Sequence, residues 1–414
     1  MNVLVITRNA WDDTNSIGNT MSNFFGGLEN VNTANIYFRS SKPNNRVCTK
    51  YFHVTEQQLI RNLFTPEKCG NAFEYSYAGE EKSGYSSEKK LISVIHKFGI
   101  KGVYALSDKL WDEKKWLNKR FDDFIEGFDP DVVFTFVKAL PQYYHTIKHL
   151  HEKHHKKIIV WIADDEYTVL SQSPLKKDKK KIERLRYILN IASAVWGCSK
   201  EMCEYYNSVF GCNAKPLYKS CSFDFSVRTS VNTPVRLVYA GNLLFGRIDI
   251  LKRVIKQLEK INKNGTAAVL DIYSSTPVAP DEKNVLQQSG AVRFHGVKPY
   301  SEIQKIMSDS DLVLHIESFD EKEIIKTKYS FSTKIIDCLQ SGSVMLAIGP
   351  GEIASIKYAK TIPGAFVIDS PNDISAKLSE VIGEKDSYPK RAESIRDFAE
   401  KNHGKEPNRC FVFD

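Results

Sequence analysis

Three short runs carry side chains whose types and spacing suit recognition of anions and sugar hydroxyls. In Tyr239-Ala-Gly-Asn-Leu-Leu-Phe-Gly-Arg247 an apolar run ends on Gly241, which permits a tight turn and close backbone approach. Gly246 allows a second turn, and Arg247 then stands at the mouth of a helix with Asn242 in the same loop. A guanidinium there is a planar, permanently charged fork for phosphate oxygens. In Tyr329-Ser-Phe-Ser-Thr-Lys-Ile-Ile-Asp-Cys-Leu-Gln-Ser-Gly342, Ser332 or Thr333 caps a helix and leaves free N–H groups at its positive end. Lys334 adds a point charge, and Asp337, three residues on, reaches the same side. A carboxylate at that place suits the two hydroxyls of a ribose better than it suits phosphate. In Ala347-Ile-Gly-Pro-Gly-Glu352 a Gly-Pro-Gly turn either brings N–H groups to a sugar or phosphate or is a plain tight turn. Each run also reads as an ordinary strand-to-helix connection with a surface charge. None is a GxGxxG pattern, so nothing supports a dinucleotide cofactor.

Other candidates are thinner. Asp164, Asp165 and Glu166 follow an apolar run, Ile158–Ile162, where a carboxylate such as Asp165 would hydrogen-bond or deprotonate a hydroxyl; an acidic surface turn fits as well. Asp309-Ser310-Asp311 precedes its strand and so sits at the wrong end for a ligand. His145, His149, His151, His154 and His155 read as one polar helix and its following turn rather than a metal site, and no metal is expected. The eight cysteines form no CxxC pair and read as thiols of a reducing compartment.

These residues need α/β elements to position them. Short apolar runs alternate with longer amphipathic stretches, which predicts parallel sheets. The expected strands are Val3–Arg8, Asn35–Phe38, Asp131–Phe136, Ile158–Ile162 and Ala194–Cys198, with helices near Ile17–Leu28, Asp112–Gly127 and Ala139–Lys153. The pattern lapses near Lys219–Pro234, a hinge, and restarts with Val235–Ala240, Ala267–Tyr273, Val292–Phe294, Leu312–Ile316, Val344–Ile348 and Ala365–Ile368. Helices are expected near Arg247–Lys263, Ser301–Ser308, Thr333–Gln340, Gly351–Ala359 and Tyr388–Asn402. In doubly wound sheets ligands lie at the carboxyl ends of strands, where the three runs fall. A chain of 414 residues fits two such domains: residues 1–222, residues 223–390, and a helix and tail over 391–414 that packs back on the first.

Cys69–Ser87 has no period and reads as a loop. Lys89–Leu110, followed by Trp111 and Trp116, suits either a membrane surface or the domain's own core. The net charge is +8, and His145–Asn190 concentrates it, with 11 Lys/Arg against 6 acids. Such a stretch fits an anionic surface or a solvated face. It lacks the interleaved aromatics of a nucleic-acid binder, and no partner of that kind is expected. No apolar run is long enough for a transmembrane helix or a secretory leader, so the chain reads as cytoplasmic.

The three runs, in order and spacing, resemble the donor domain of GT-B-fold glycosyltransferases, and within these glycosyltransferase family 4 and related bacterial surface-polysaccharide enzymes. The resemblance covers Val235 to Asn402. Asn15-Ser-Ile-Gly18-Asn19-Thr20 resembles that group's glycine-bearing loop. It implies two Rossmann-like domains facing across a cleft, with Gly18, Asn242, Arg247, Ser332, Thr333, Lys334 and Asp337 around a UDP- or GDP-sugar. Arg247 and Lys334 would hold the diphosphate leaving group without a metal, Asp337 would bind ribose, and Asp165 would serve the acceptor hydroxyl. Asp337 falls at the second Glu of the family's paired-glutamate motif, whereas the first falls at Tyr329, a departure. The activity implied is sugar transfer to a glycan or lipid-linked glycan, with retention of configuration, at the cytoplasmic face of a membrane. A sugar-nucleotide epimerase and a degenerate scaffold subunit share the same fold.

Overall fold

The computed structural model describes residues 1–77, 101–287 and 290–404. The chain divides into two compact units, Met1–Leu217 and a second beginning at Tyr218. Among the described residues the first unit holds an eight-stranded sheet. Its strands are β1 (Asn2–Thr7), β2 (Asn32–Tyr37), β3 (Lys50–His53), β4 (Asn71–Glu74), β5 (Val132–Phe136), β6 (Lys157–Ile162), β7 (Ala194–Gly197) and β8 (Lys215–Pro216). Their order is β4-β3-β2-β1-β5-β6-β7-β8, and every pairing is parallel except β3 with β4. The second unit holds β9 (Val235–Ala240), β10 (Ala268–Tyr273), β11 (Val292–Gly296), β12 (Leu312–Ile316), β13 (Val344–Ile348) and β14 (Phe366–Ile368). These run β11-β10-β9-β12-β13-β14, all parallel.

The central strands are continuous apolar runs because helices cover both faces. β5, β12 and β13 are buried at every residue. Each sheet changes direction once, at β1/β5 in the first unit and β9/β12 in the second. The loops leaving those strands part there and open a crevice at the carboxyl ends.

Several expectations change. The helix expected over Asp112–Gly127 is two, Lys101–Asp112 and Lys119–Phe128, because Asn118 restarts it by accepting from the N–H groups of Arg120 and Phe121. Within the expected loop Cys69–Ser87, Asn71–Glu74 forms β4, an edge strand too exposed to show alternation; residues 78–87 lie outside the described residues. So do residues 89–100 of the Lys89–Leu110 stripe. Trp111 and Trp116 are 1% and 0% exposed and pack edge-on against Phe38, so these rings face the core and not a membrane. The helix expected from Gly351 begins at Ala354. The last helix, Tyr388–His403, packs within its own unit: the His403 carbonyl accepts the Cys221 N–H, and the Tyr358 hydroxyl meets His403 Nε2.

Candidate active site

The site is built where β9 and β12 part. β9 leads into Gly241, Phe245 and Gly246 take left-handed conformations (φ +57° and +68°), and the helix Arg247–Ile261 follows. A side chain on Gly246 would stand 2.4 Å from Ser318 Oγ, so the turn requires glycine. Arg247 is turned inward and is 7% exposed. Its Nε donates to the Ile316 carbonyl at 3.0 Å and its Nη1 to Asn242 Oδ1 at 2.6 Å. Nη2 donates to both carboxylate oxygens of Glu317 at 3.0 and 2.9 Å. All three guanidinium nitrogens are thereby engaged by the protein. Asn242, expected in the phosphate loop, acts first as Arg247's acceptor, and its carbonyl is fixed by the Tyr239 hydroxyl.

Glu317 is the residue that reading the sequence missed. It is the first residue after β12, 3% exposed, and burial raises its carboxyl pKa while Arg247 pulls it back. The available signal was a lone Glu closing an apolar strand next to the restart strand. Gly349 belongs to the same arrangement. Its Cβ would lie 2.8 Å from that of Glu317, and its N–H is bonded to the Ile368 carbonyl. The Gly-Pro-Gly turn therefore makes room for the glutamate, and Gly349 offers no amide to a ligand.

Lys334 opens the seven-residue helix Lys334–Gln340 and reaches across Gly241, where a Cβ would fall 2.3 Å from its Cε and 2.6 Å from its Nζ. Its ammonium has neither a hydrogen bond nor an ion pair among the described residues. Burial, reinforced by the charge of Arg247, pushes Lys334 down to about 8. The side-chain cap expected from Ser332 or Thr333 does not form. Thr333 already has helical angles (φ −58°, ψ −16°), and the Ile335 and Ile336 N–H groups turn back to the Ser332 and Thr333 carbonyls. Asp337 Oδ1 accepts the Tyr300 hydroxyl at 2.6 Å, leaving Oδ2 unpartnered among the described residues. His315, buried beside Ser355 Oγ at 3.0 Å, is pushed down to about 3 by burial and then by Arg247, so it is neutral. Among the described residues at this switch point, Lys334 is thus a cation without a partner, Arg247 a cation locked by a buried carboxylate, and Asp337 a carboxylate with a free oxygen.

The remaining expected residues lie in the first unit. Gly18 sits in the first turn of Ser16–Phe25, where its N–H is taken by Asn15 Oδ1 at 2.9 Å and a Cβ would strike the Asp12 backbone. It is a packing glycine. Asp165 Oδ1 accepts from the N–H groups of Tyr167 and Thr168 and from the Tyr206 hydroxyl, while Oδ2 is buried with no partner. Asp164 and Glu166 both hold Lys138, at 2.8 and 3.0 Å. Asp311 serves the amino end of β12, accepting from the Arg236 and Asn232 N–H groups.

His149 and His154 share Asp122 Oδ1, each at 2.8 Å, and these three ligand atoms lie within 4.8 Å of one another. Lys153 Nζ stands 2.6 Å from the other carboxylate oxygen, which places a positive charge where a metal would compete. The basic stretch is partly answered from elsewhere, since Lys180 and Arg184 meet Asp112, Lys153 meets Asp122 and Lys156 meets Asp129.

No protein-family model matches the sequence, and no curated protein matches it. Solved structures do. HepE of Anabaena in complex with UDP aligns over 100% of this chain and 98% of its own, with TM-score 0.62 and 10% identity. Sucrose-phosphate synthase of Thermosynechococcus elongatus covers 100% and 97%, with TM-score 0.63 and 10% identity. WaaG, a glycosyltransferase involved in lipopolysaccharide biosynthesis, covers 99% and 97%, with TM-score 0.56 and 10% identity. The fold is GT-B. A GT-B chain this divergent shares with those structures its path through both sheets, and its site rests on its own residues.

Proposed function

We propose that this chain is a glycosyltransferase that moves a sugar from a nucleotide-sugar donor to a glycan or lipid-linked glycan in cell-surface polysaccharide synthesis. The observation that carries the reading is the unpaired Lys334 ammonium lying over Gly241, beside the Arg247–Glu317 pair at the β9/β12 switch point. UDP is the donor base favoured, because HepE was solved with UDP and with UDP-glucose. As the bond from the anomeric carbon to the diphosphate breaks, charge grows on the departing oxygens. Lys334 and the guanidinium of Arg247 meet it with groups already in place, so the reaction is expected to be insensitive to chelators. Asp337 Oδ2 takes the ribose hydroxyls. Asp165 is assigned to the acceptor hydroxyl through its unpartnered Oδ2. Retention of configuration, as the family resemblance implies, is tested by the anomeric proton signal of the first-formed product.

Among the described residues no helix is long and apolar enough to cross a membrane. A peripheral seat on the cytoplasmic face is supported by Val169 and Leu175, 55% and 50% exposed, beside the lysine-rich helix Lys176–Ile191. The test of the whole reading is thermal unfolding with UDP, GDP, ADP or NAD, in wild type and in Lys334→Met. A nucleotide at 100 times its dissociation constant adds about 2.7 kcal/mol of stability. Stabilisation by UDP that disappears in the variant supports the donor site. Silence with every nucleotide in a folded protein overturns it and leaves the scaffold reading.

A further inference from the structure

In the first unit Arg8 directly follows β1, and Arg39 stands two residues past the end of the neighbouring β2. Thr7 registers with Tyr37, and the Phe38 N–H donates to the Arg8 carbonyl at 3.1 Å, which sets Arg8 beside Phe38 and Arg39 one residue beyond it. Both residues are exposed, and neither guanidinium has a hydrogen bond or ion pair among the described residues. Tyr143, in the first turn of Pro141–Glu152 after β5, packs its ring edge-on against Phe38 at 5.5 Å. It is 2% exposed, and its hydroxyl has no hydrogen-bond partner among the described residues. The charges of both arginines act on this phenol, and Arg8 is itself lowered by partial burial and then by Arg39. The nearby acids do not close the gap. Glu56 accepts from Ser107 and Trp111, and Glu166 from Lys138 and the Ala139 N–H.

Two arginines close together without a counterion, beside a phenol whose hydroxyl no described group bonds, leave three polar groups in one place with no protein partner. A single multiply charged anion meets all three, and two planar forks plus a hydroxyl match the several oxygens of a phosphoryl group better than one carboxylate does. The position is the β1/β5 switch point, at the carboxyl ends of the strands. We propose that Arg8, Arg39 and Tyr143 form a phosphoryl-binding site, and that the acceptor this protein uses carries a phosphate, either as a soluble sugar phosphate or as a phosphate-linked lipid. Phosphoryl binding stands by itself; its assignment to the acceptor rests on the glycosyltransferase reading.

The full-length protein is titrated calorimetrically with glucose 6-phosphate, glucose and UDP, and sedimented with phosphatidylcholine vesicles with and without a polyprenyl phosphate. Wild type, Arg8→Ala/Arg39→Ala and Tyr143→Phe are compared. One charge-assisted bond is worth about tenfold in affinity or more. The phosphorylated probe is therefore expected to bind at least about tenfold tighter than its unphosphorylated counterpart. That preference should vanish in the double variant and weaken in Tyr143→Phe, with UDP affinity unchanged in both. A preference for glucose 6-phosphate alone assigns the soluble source, and one for the polyprenyl phosphate vesicles alone assigns the lipid. No preference in wild type, or a preference that survives the double variant, overturns the proposal. If the phosphorylated probe binds and UDP does not, the donor reading falls while this site stands.

Discussion

At the β9/β12 switch point of the second sheet the arginine is 7% exposed and gripped by Glu317, whereas at the β1/β5 switch point of the first the arginines are exposed and unpaired. The same topological position is used in opposite electrostatic ways. In the second unit a buried carboxylate fixes Arg247 and the next cation, Lys334, is left without one. Breaking such a pair strands a charge in a low-dielectric interior, while removing an exposed, unpaired charge costs the fold little. The second crevice is thus a rigid, preset positive site, and the first is an open one whose charges wait for a counterion.

The largest effect that would break this contrast is expected at Glu317. Glu317→Ala leaves Arg247 buried and uncompensated, at a cost of about 3–5 kcal/mol by denaturant unfolding. Glu317→Gln should cost less, and equal stability of both variants with wild type would mean that Arg247 is not held as described. Lys334→Met is next. It should abolish UDP stabilisation and lower kcat/KM about 10²–10³-fold, yet leave the unliganded protein no less stable, because a desolvated charge is removed.

The pH dependence sharpens the same point. Lys334 titrates at about 8 in the fold against 10.5 ordinarily. Between those values the unfolded chain binds more protons, so the contribution of Lys334 makes the protein more stable as pH rises, and Lys334→Met removes that slope. Diphosphate affinity should run the other way, falling above about pH 8 as the ammonium is lost. Parallel pH profiles of UDP binding in wild type and variant would contradict this. Gly241→Ala is a subtler probe: its Cβ displaces a flexible lysine end, so UDP affinity should drop while the melting temperature barely moves. Smallest of all, Arg8→Ala/Arg39→Ala should change stability within about 0.5 kcal/mol; a loss like that of Glu317→Ala would erase the distinction between the two crevices.

Much of the frame was legible along the chain. β9, β12 and β13 fall where their apolar runs predict, since strands buried on both faces must be continuously apolar. β3, β4 and β8 were not, because short or edge strands containing Lys50, Asn71 and Lys215 take their definition from pairing partners rather than from their own pattern. Within the site, Gly246, Arg247, Lys334 and Asp337 were singled out from residue type and local position.

The sequence by itself therefore determined the two α/β halves, the glycine turn after the restart strand and the cations near it, all consequences of local patterning. Only the tertiary structure decided which cation is free. Glu317 lies 70 residues from Arg247 and Lys334 reaches back to Gly241. Charge pairing is set by distances through space that sheet order alone establishes, and an arginine's burial or exposure follows from what the neighbouring strand carries at its end.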